Sequence, residues 1–322
     1  MSRIVIFGPG ALGILFSVKL YAAGHRVCVL DYKPERAQRL NKFGLKLIED
    51  QRKISAMPQI FVDPQDVPAA DYALILVKAH QTRATLEALR AISSEHTLII
   101  SLQNGIGAGD ILQEAVPAHN IFLGTTIHGA TKKGENVALH AGSGLTVIGP
   151  YKPDEKFPEK LKKFQKSLET AGFETEIVQD IYPYLWRKLL VNIGINPLTA
   201  LTGLRNGGIL SFPHILELQR KAVTEAFEII TRSGINLDMD LDSCLELVRR
   251  VCEKTGKNTS SMLQDRLNGK ETEIDFITGA VLKKAQELGM NAPVNETLTR
   301  LIRFHSSAKW HQFTKQVFEL SG

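Results

Sequence analysis

The chain has 322 residues, 43% of them apolar, which is enough to fill two ordinary domain cores and excludes a disordered or fibrous protein. Lysine and arginine outnumber aspartate and glutamate by 39 to 34, a mild excess that suits anionic ligands and falls short of a nucleic-acid footprint. No run approaches the roughly 20 apolar residues that a membrane helix needs. The three cysteines, Cys28, Cys244 and Cys252, have neither metal-ligand spacing nor a disulfide framework, so they read as structural residues in a reducing, cytoplasmic compartment.

The first segment, Ile4 to Val18, is uncharged, follows Arg3 and precedes the small residues Ala22, Ala23 and Gly24, as a secretory signal would. Its glycine spacing offers a better account. Ile4–Phe7 reads as a strand, Gly8-Pro9-Gly10-Ala11-Leu12-Gly13 as a turn, and the rest as an apolar helix closed by Gly24, with a second strand at Val27–Leu30. In Gly8-x-Gly10-x-x-Gly13 the first glycine permits the tight turn, the second lets a pyrophosphate approach the backbone, and the third lets helix pack on strand. The helix start then offers unpaired amides to the phosphates. Such turns also arise for purely structural reasons, and it is the strand-to-helix setting that favours a dinucleotide site.

Asp31 ends the second strand, where an acid can accept hydrogen bonds from an adenosine ribose and oppose a 2′-phosphate, which leans the site toward NADH. Lys33 and Arg36 could instead neutralise a 2′-phosphate if Asp31 turned away, or the three could form a solvated loop of mixed charge. Further strands are expected at Tyr72–Val77 and Thr97–Leu102, with helical patterns between them, which predicts a mostly parallel, doubly wound α/β sheet. Lys78 and Asn104 sit at the carboxyl ends of these strands, where ligands bind in such sheets. A lone lysine there is usually just exposed; two polar residues at equivalent ends favour the ligand reading. His128 and His140 are expected to be structural.

Leu145–Ile148 is expected to be a last strand, the basic stretch Lys156–Lys166 a solvated amphipathic face, and Lys160–Ala171 a helix ending at Gly172. From about Tyr184 strand signals give way to helical periodicity over Ile215–Ser233, Leu241–Glu253, Ile274–Leu288 and Asn295–Phe304. The expected organisation is a Rossmann-type domain over 1–179 and an all-helical domain over 180–322, with the boundary near Val178–Ile181.

Between these, Lys188, Asn192 and Asn196 recur every four positions in an apolar segment, and on a helix they form one polar row about 12 Å long. Burying such groups costs about 1–3 kcal/mol each without partners, and a polar ligand is one such partner. The alternative is that Lys188 reaches solvent while the asparagines bond to backbone. Asn196 precedes Pro197, which predicts a kink or break there.

The run from Leu185, Trp186, Arg187, Lys188 and Leu189 through Asn192 to Ile195-Asn196-Pro197-Leu198-Thr199-Ala200 resembles the central signature of the ketopantoate reductase family. Asn258 to Asp265, Thr272-Glu273-Ile274-Asp275 and Gly124 to Ala130 are similar to further family segments, in the expected order. The resemblance implies reduction of 2-dehydropantoate to (R)-pantoate with NADPH or NADH, a step toward pantothenate and coenzyme A. It implies Lys188 as proton donor, with Asn192, Asn196, Asn206, Asn258 and Ser261 holding substrate. Gly8, Pro9, Gly10, Ala11, Leu12, Gly13, Lys78, Asn104, Ala130 and Glu273 would contact the cofactor, with no metal. Glu273 rests on the resemblance alone, since an acid in the first turn of a helix is common for dipole reasons.

Two positions depart from the family pattern. Tyr32 stands where an arginine for the 2′-phosphate is frequent, and Lys270 where arginine is frequent before the Thr272–Asp275 block. The expected partner is a small 2-keto acid, with no nucleic acid and no membrane, and a homodimer stays open. Two rival readings remain: a reductase of another 2-keto acid on the same scaffold, and a dinucleotide-binding sensor without turnover.

Overall fold

A computed structural model describes residues 2–153 and 157–306; Lys156, which opens the basic stretch, and the end of the chain beyond 306 lie outside the described residues. The described residues of Met1–Gln103 and Gly107–Ile181 form one compact unit, and those of Asn104–Ile106 and Tyr182–Gly322 a second.

The first unit runs β1 (Arg3–Phe7), α1 (Ala11–Ala22), β2 (Arg26–Leu30), α2 (Pro34–Phe43), β3 (Leu45–Glu49), β4 (Arg52–Ala56), β5 (Gln59–Phe61), β6 (Tyr72–Ile75), α3 (Leu86–Ile92) and β7 (Leu98–Ser101). It continues through α4 (Ala108–Leu112), β8 (Ile121–Thr126), β9 (Gly129–Lys132), β10 (Val137–Gly142), β11 (Thr146–Pro150), α5 (Glu159–Thr170) and β12 (Thr175–Ile177). Eight strands make one sheet in the order β12-β11-β8-β7-β6-β1-β2-β5, parallel except where β8 meets β11. β6, β7 and all but the first residue of β1 are buried, as expected of parallel strands covered on both faces. Phe7 pairs with Leu30 on one side and Ile75 on the other, so β1, β2 and β6 end level with one another. That register brings Gly8, Asp31 and the turn before Lys78 to one edge of the sheet.

Four strands missing from the sequence reading form a second sheet, β4-β3-β10-β9, which packs on α1. Its strands are short and carry charges such as Lys46, Arg52 and Lys53, and β3 finds β10 some ninety residues away through pairs such as Lys46 with Val137. Covered by one sheet on each side, α1 is buried over Gly13–Val18 and at Leu20, which explains the uncharged Ile4–Val18 segment. His128, His140, Glu49 and Lys19 link the second sheet to α1: His128 Nδ1 lies 3.0 Å from His140 Nε2, His140 Nδ1 bonds Glu49, and Lys19 Nζ donates to Glu49 at 2.9 Å. Burial lowers the His128 pKa to about 4, so this ring is neutral at ordinary pH.

The second unit contains α6 (Tyr182–Thr202), α7 (Pro213–Arg232), α8 (Leu241–Lys254), α9 (Ser261–Leu267), α10 (Thr278–Glu287) and α11 (Pro293–His305). α6 packs against α7, α8, α9 and α11, with Trp186 fully buried among them. Of the kink or break expected at Asn196, the break does not occur: α6 runs on through it to Thr202. Pro197 lies inside α6, and the carbonyl of Gly194, three residues earlier, accepts from Gln219 Nε2 on α7 at 2.9 Å. Proline removes only the amide that would bond the Ile193 carbonyl, and α6 is held across it by packing against α7, α8, α9 and α11. The helix expected over Ile274–Leu288 is interrupted: a 3₁₀ turn covers Ile274–Phe276, and α10 begins only after Ile277.

The α11 start is capped from another helix, since the Glu225 carboxylate on α7 accepts from Val294 N at 3.0 Å, Asn295 N at 2.8 Å and Asn295 Nδ2 at 2.8 Å. Glu225→Ala is expected to cost about 1–3 kcal/mol of stability by stripping those donors of their acceptor. Urea unfolding would show it as a lowered midpoint at unchanged slope, and an unchanged midpoint would contradict the capping role. Among the described residues no helix is long and apolar enough to cross a bilayer, and the three cysteines are free thiols.

Candidate active site

In the first unit the glycine turn is built as the spacing requires. Gly8 adopts φ +95°, a left-handed value that disfavours a side chain, and a Cβ there would approach Val77 Cγ1 to 2.8 Å. A Cβ on Gly13 would collide with the Gly8 carbonyl. Gly10 differs: a Cβ there meets nothing within 4 Å, so the space above it is open. α1 begins at Ala11 with no side-chain cap and no acidic residue in its first turn, leaving its amides and positive dipole end for an anion. An open position over a glycine, set before uncapped amides, fits the pyrophosphate of a dinucleotide. Gly8 N bonds the Leu30 carbonyl at 3.2 Å, and Lys132 on β9 donates to the Pro9 carbonyl at 3.3 Å. The turn is thereby tied to the strand end before Asp31 and to the strand that carries Ala130.

Asp31 is 1% exposed, and its side chain is sealed by Arg36, whose Nε and Nη2 donate to the two carboxylate oxygens, while Lys33 N donates to Oδ1 at 3.2 Å. The carboxylate in turn holds the Arg36 guanidinium above its usual pKa. Asp31 therefore does not turn away, nor does it stand bare at the strand end. Lys78 follows β6 at the start of a 3₁₀ turn and is half-buried.

In the second unit the polar row lies on α6, with Lys188 and Asn192 half-buried and Asn196 6% exposed. Burial pushes the Lys188 ammonium down to about 8, and the Glu273 carboxylate opposes part of that fall. Glu273 is itself buried, at 4% exposure, just ahead of the 3₁₀ turn Ile274–Phe276, and its side chain caps no helix amide. Asn104 Nδ2 donates to Glu273 Oε2 at 3.4 Å. That contact follows from the short segment Asn104–Ile106, which joins the helical unit: Ile106 N bonds the Phe276 carbonyl at 2.9 Å, and any Cβ on Gly105, at φ +89°, would collide with the same carbonyl.

Asn206 and Asn258 are adjacent through a backbone bond of 3.1 Å. Asn206 Nδ2 donates to Thr255 Oγ1 at 2.9 Å, while its buried Oδ1 has no protein partner, which suits a ligand hydroxyl. Asn258 and Ser261 are exposed. Sequence reasoning passed over Ser260, which caps α9 by accepting from Leu263 N at 3.1 Å and bonds Thr199 Oγ1 at 2.7 Å, fixing α9 against the row on α6. It also passed over Lys132. The signal for Ser260 was a serine just before a helical run; Lys132 lay on a strand it did not identify.

A glycine turn at the carboxyl edge of a parallel sheet, and a lysine of lowered pKa on a polar helix row, define a Rossmann-type dinucleotide-binding protein with a helical second unit. Models of the family described as Ketopantoate reductase PanE/ApbA match residues 4–153, and of its C-terminal part residues 180–306. A 2-dehydropantoate 2-reductase of Halobacterium salinarum is 33% identical over 302 residues, 94% of this chain and 98% of the relative. The chain belongs to the ketopantoate reductase family. Among solved structures, a D-mandelate dehydrogenase with NADH and anilino(oxo)acetate shares 25% identity at a TM-score of 0.88. A PanE/ApbA family ketopantoate reductase from Ralstonia eutropha JMP134 shares 26% at 0.84. Each covers 94% of this chain and is covered to 98%.

Proposed function

We propose that the chain reduces 2-dehydropantoate to (R)-pantoate with a nicotinamide dinucleotide, in the cytoplasm, as a step toward pantothenate and coenzyme A. The observation that carries the chemistry is Lys188, an ammonium brought down to about 8 by burial and set in line with Asn192 and Asn196. When bound, the reduced nicotinamide supplies two electrons and a hydrogen to the keto carbon. As the C=O π pair retreats onto oxygen, Lys188 Nζ stabilises the growing negative charge and delivers the proton that makes the hydroxyl. Glu273 keeps enough of Lys188 protonated for that task near neutrality. Asn192, Asn196, Asn206, Asn258 and Ser261 hold the substrate carboxylate and hydroxyl through neutral donors and acceptors, leaving discrimination to their geometry. Gly8 to Gly13, Asp31, Lys78, Asn104, Ala130 and Glu273 serve the cofactor.

Steady-state turnover of ketopantoate and of branched and aryl 2-keto acids, with NADH and NADPH in parallel, tests the reading. Ketopantoate is expected to have the highest kcat/KM, and NADH to be at least comparable with NADPH. Selective turnover of an aryl 2-keto acid would move the chain to another substrate, and no turnover at all would leave a dinucleotide sensor.

A further inference from the structure

An acid at the end of β2 would ordinarily decide the cofactor by charge, because a bare carboxylate repels a 2′-phosphate. Here the acid is not bare. Its side chain has no solvent exposure, both oxygens accept from Arg36, and the pair carries no net charge. Of the five guanidinium N–H groups of Arg36, the pair uses two, and the side chain remains 17% exposed at the start of α2. Lys33, just before α2, and Glu35, in its first turn, are exposed beside it, so Asp31 and Glu35 balance Lys33 and Arg36 over residues 31–36. Glu135, the next acid nearby, is held by Arg39 through two bonds of 2.7 Å. Tyr32, 70% exposed, has Lys33 Nζ 5.4 Å and the Arg36 guanidinium carbon 5.5 Å from its ring centre, so the cations flank an accessible aromatic face.

We infer that the Asp31–Arg36 ion pair sets discrimination at the adenosine 2′ position: by masking the acid and presenting its spare guanidinium donors, Arg36 lets the chain accept both NAD(H) and NADP(H). The inference rests on the dinucleotide reading above. Losing Arg36 uncovers Asp31 and turns the loop against a 2′-phosphate. Losing the Asp31 charge frees the Arg36 fork for phosphate oxygens, to which it is geometrically matched.

The test is calorimetric titration of the full chain with NAD⁺ and with NADP⁺, in wild type, Asp31→Asn and Arg36→Gln, without substrate, so that binding is read apart from turnover. The wild type is expected to bind the two within about 10-fold of each other, since the loop carries no net charge to favour either. Arg36→Gln should weaken NADP⁺ at least about 10-fold more than NAD⁺, and Asp31→Asn should tighten NADP⁺ relative to NAD⁺ by about 5-fold or more. Because Arg36→Gln leaves a buried carboxylate unpaired and can unfold the loop, the Asp31→Asn ratio carries the test by itself. Equal changes toward both ligands in either folded variant, or a wild-type preference above about 100-fold, would reduce the pair to a structural staple. A wild type that binds neither dinucleotide would overturn the cofactor reading itself.

Discussion

Lys188→Ala is expected to lower kcat about 10²-fold or more, the usual contribution of a positioned proton donor, while the affinity for dinucleotide changes little. The alkoxide that develops on the substrate then lacks both its neighbouring positive charge and its proton source. Because burial sets the Lys188 pKa at about 8, the donor is protonated below that pH and lost above it. Wild-type kcat/KM should therefore fall as pH rises through about 8, and this limb should vanish in Lys188→Ala. Glu273 raises the Lys188 pKa against the desolvation, so Glu273→Gln should move the same limb to lower pH. Steady-state profiles of the three proteins check this, and an unchanged kcat for Lys188→Ala would remove Lys188 from the chemistry.

Gly10→Val should abolish useful cofactor binding without harming the fold. Gly10 has φ −74° and ψ −171°, extended backbone that valine adopts readily, and a Cβ there meets nothing within 4 Å. The side chain would instead fill the space through which a pyrophosphate reaches the α1 amides. Losing two or more such charge-assisted bonds, each about 1.5–3 kcal/mol, corresponds to a weakening of at least about 10²-fold. Gly13→Ala makes the contrast, because its Cβ would collide with the Gly8 carbonyl and force strand and helix apart. Calorimetry and thermal melts together should show Gly10→Val with a wild-type Tm and little dinucleotide binding, and Gly13→Ala with a lowered Tm. Wild-type affinity in Gly10→Val would mean that the pyrophosphate lies elsewhere.

What could be read from the sequence was local in origin. Gly8, Gly10 and Gly13 are legible because a tight turn and a close helix restrict the backbone within six residues, and the row Lys188, Asn192, Asn196 because helix geometry alone stacks every fourth side chain. The strands β1, β6 and β7 announce themselves by apolar runs, since a parallel strand is buried on both faces. Tertiary structure decided what depends on partners far along the chain. The second sheet exists because β3 meets β10, and neither short strand signals it alone. Pro197 stays helical because packing of α6 against α7, α8, α9 and α11 overrides the local preference for a break. The sequence left Asp31, Lys33 and Arg36 as three separate charges; one turn of α2 folds Arg36 back onto Asp31 and makes them a neutral pair. Glu273 stood on the family resemblance alone, its position also fitting a helix-start acid; burial sets its charge against Lys188 and beside Asn104, which reaches it because Gly105 lets residues 104–106 lie on the Phe276 carbonyl. Those contacts join residues far apart in the chain, and only the packed chain brings them together.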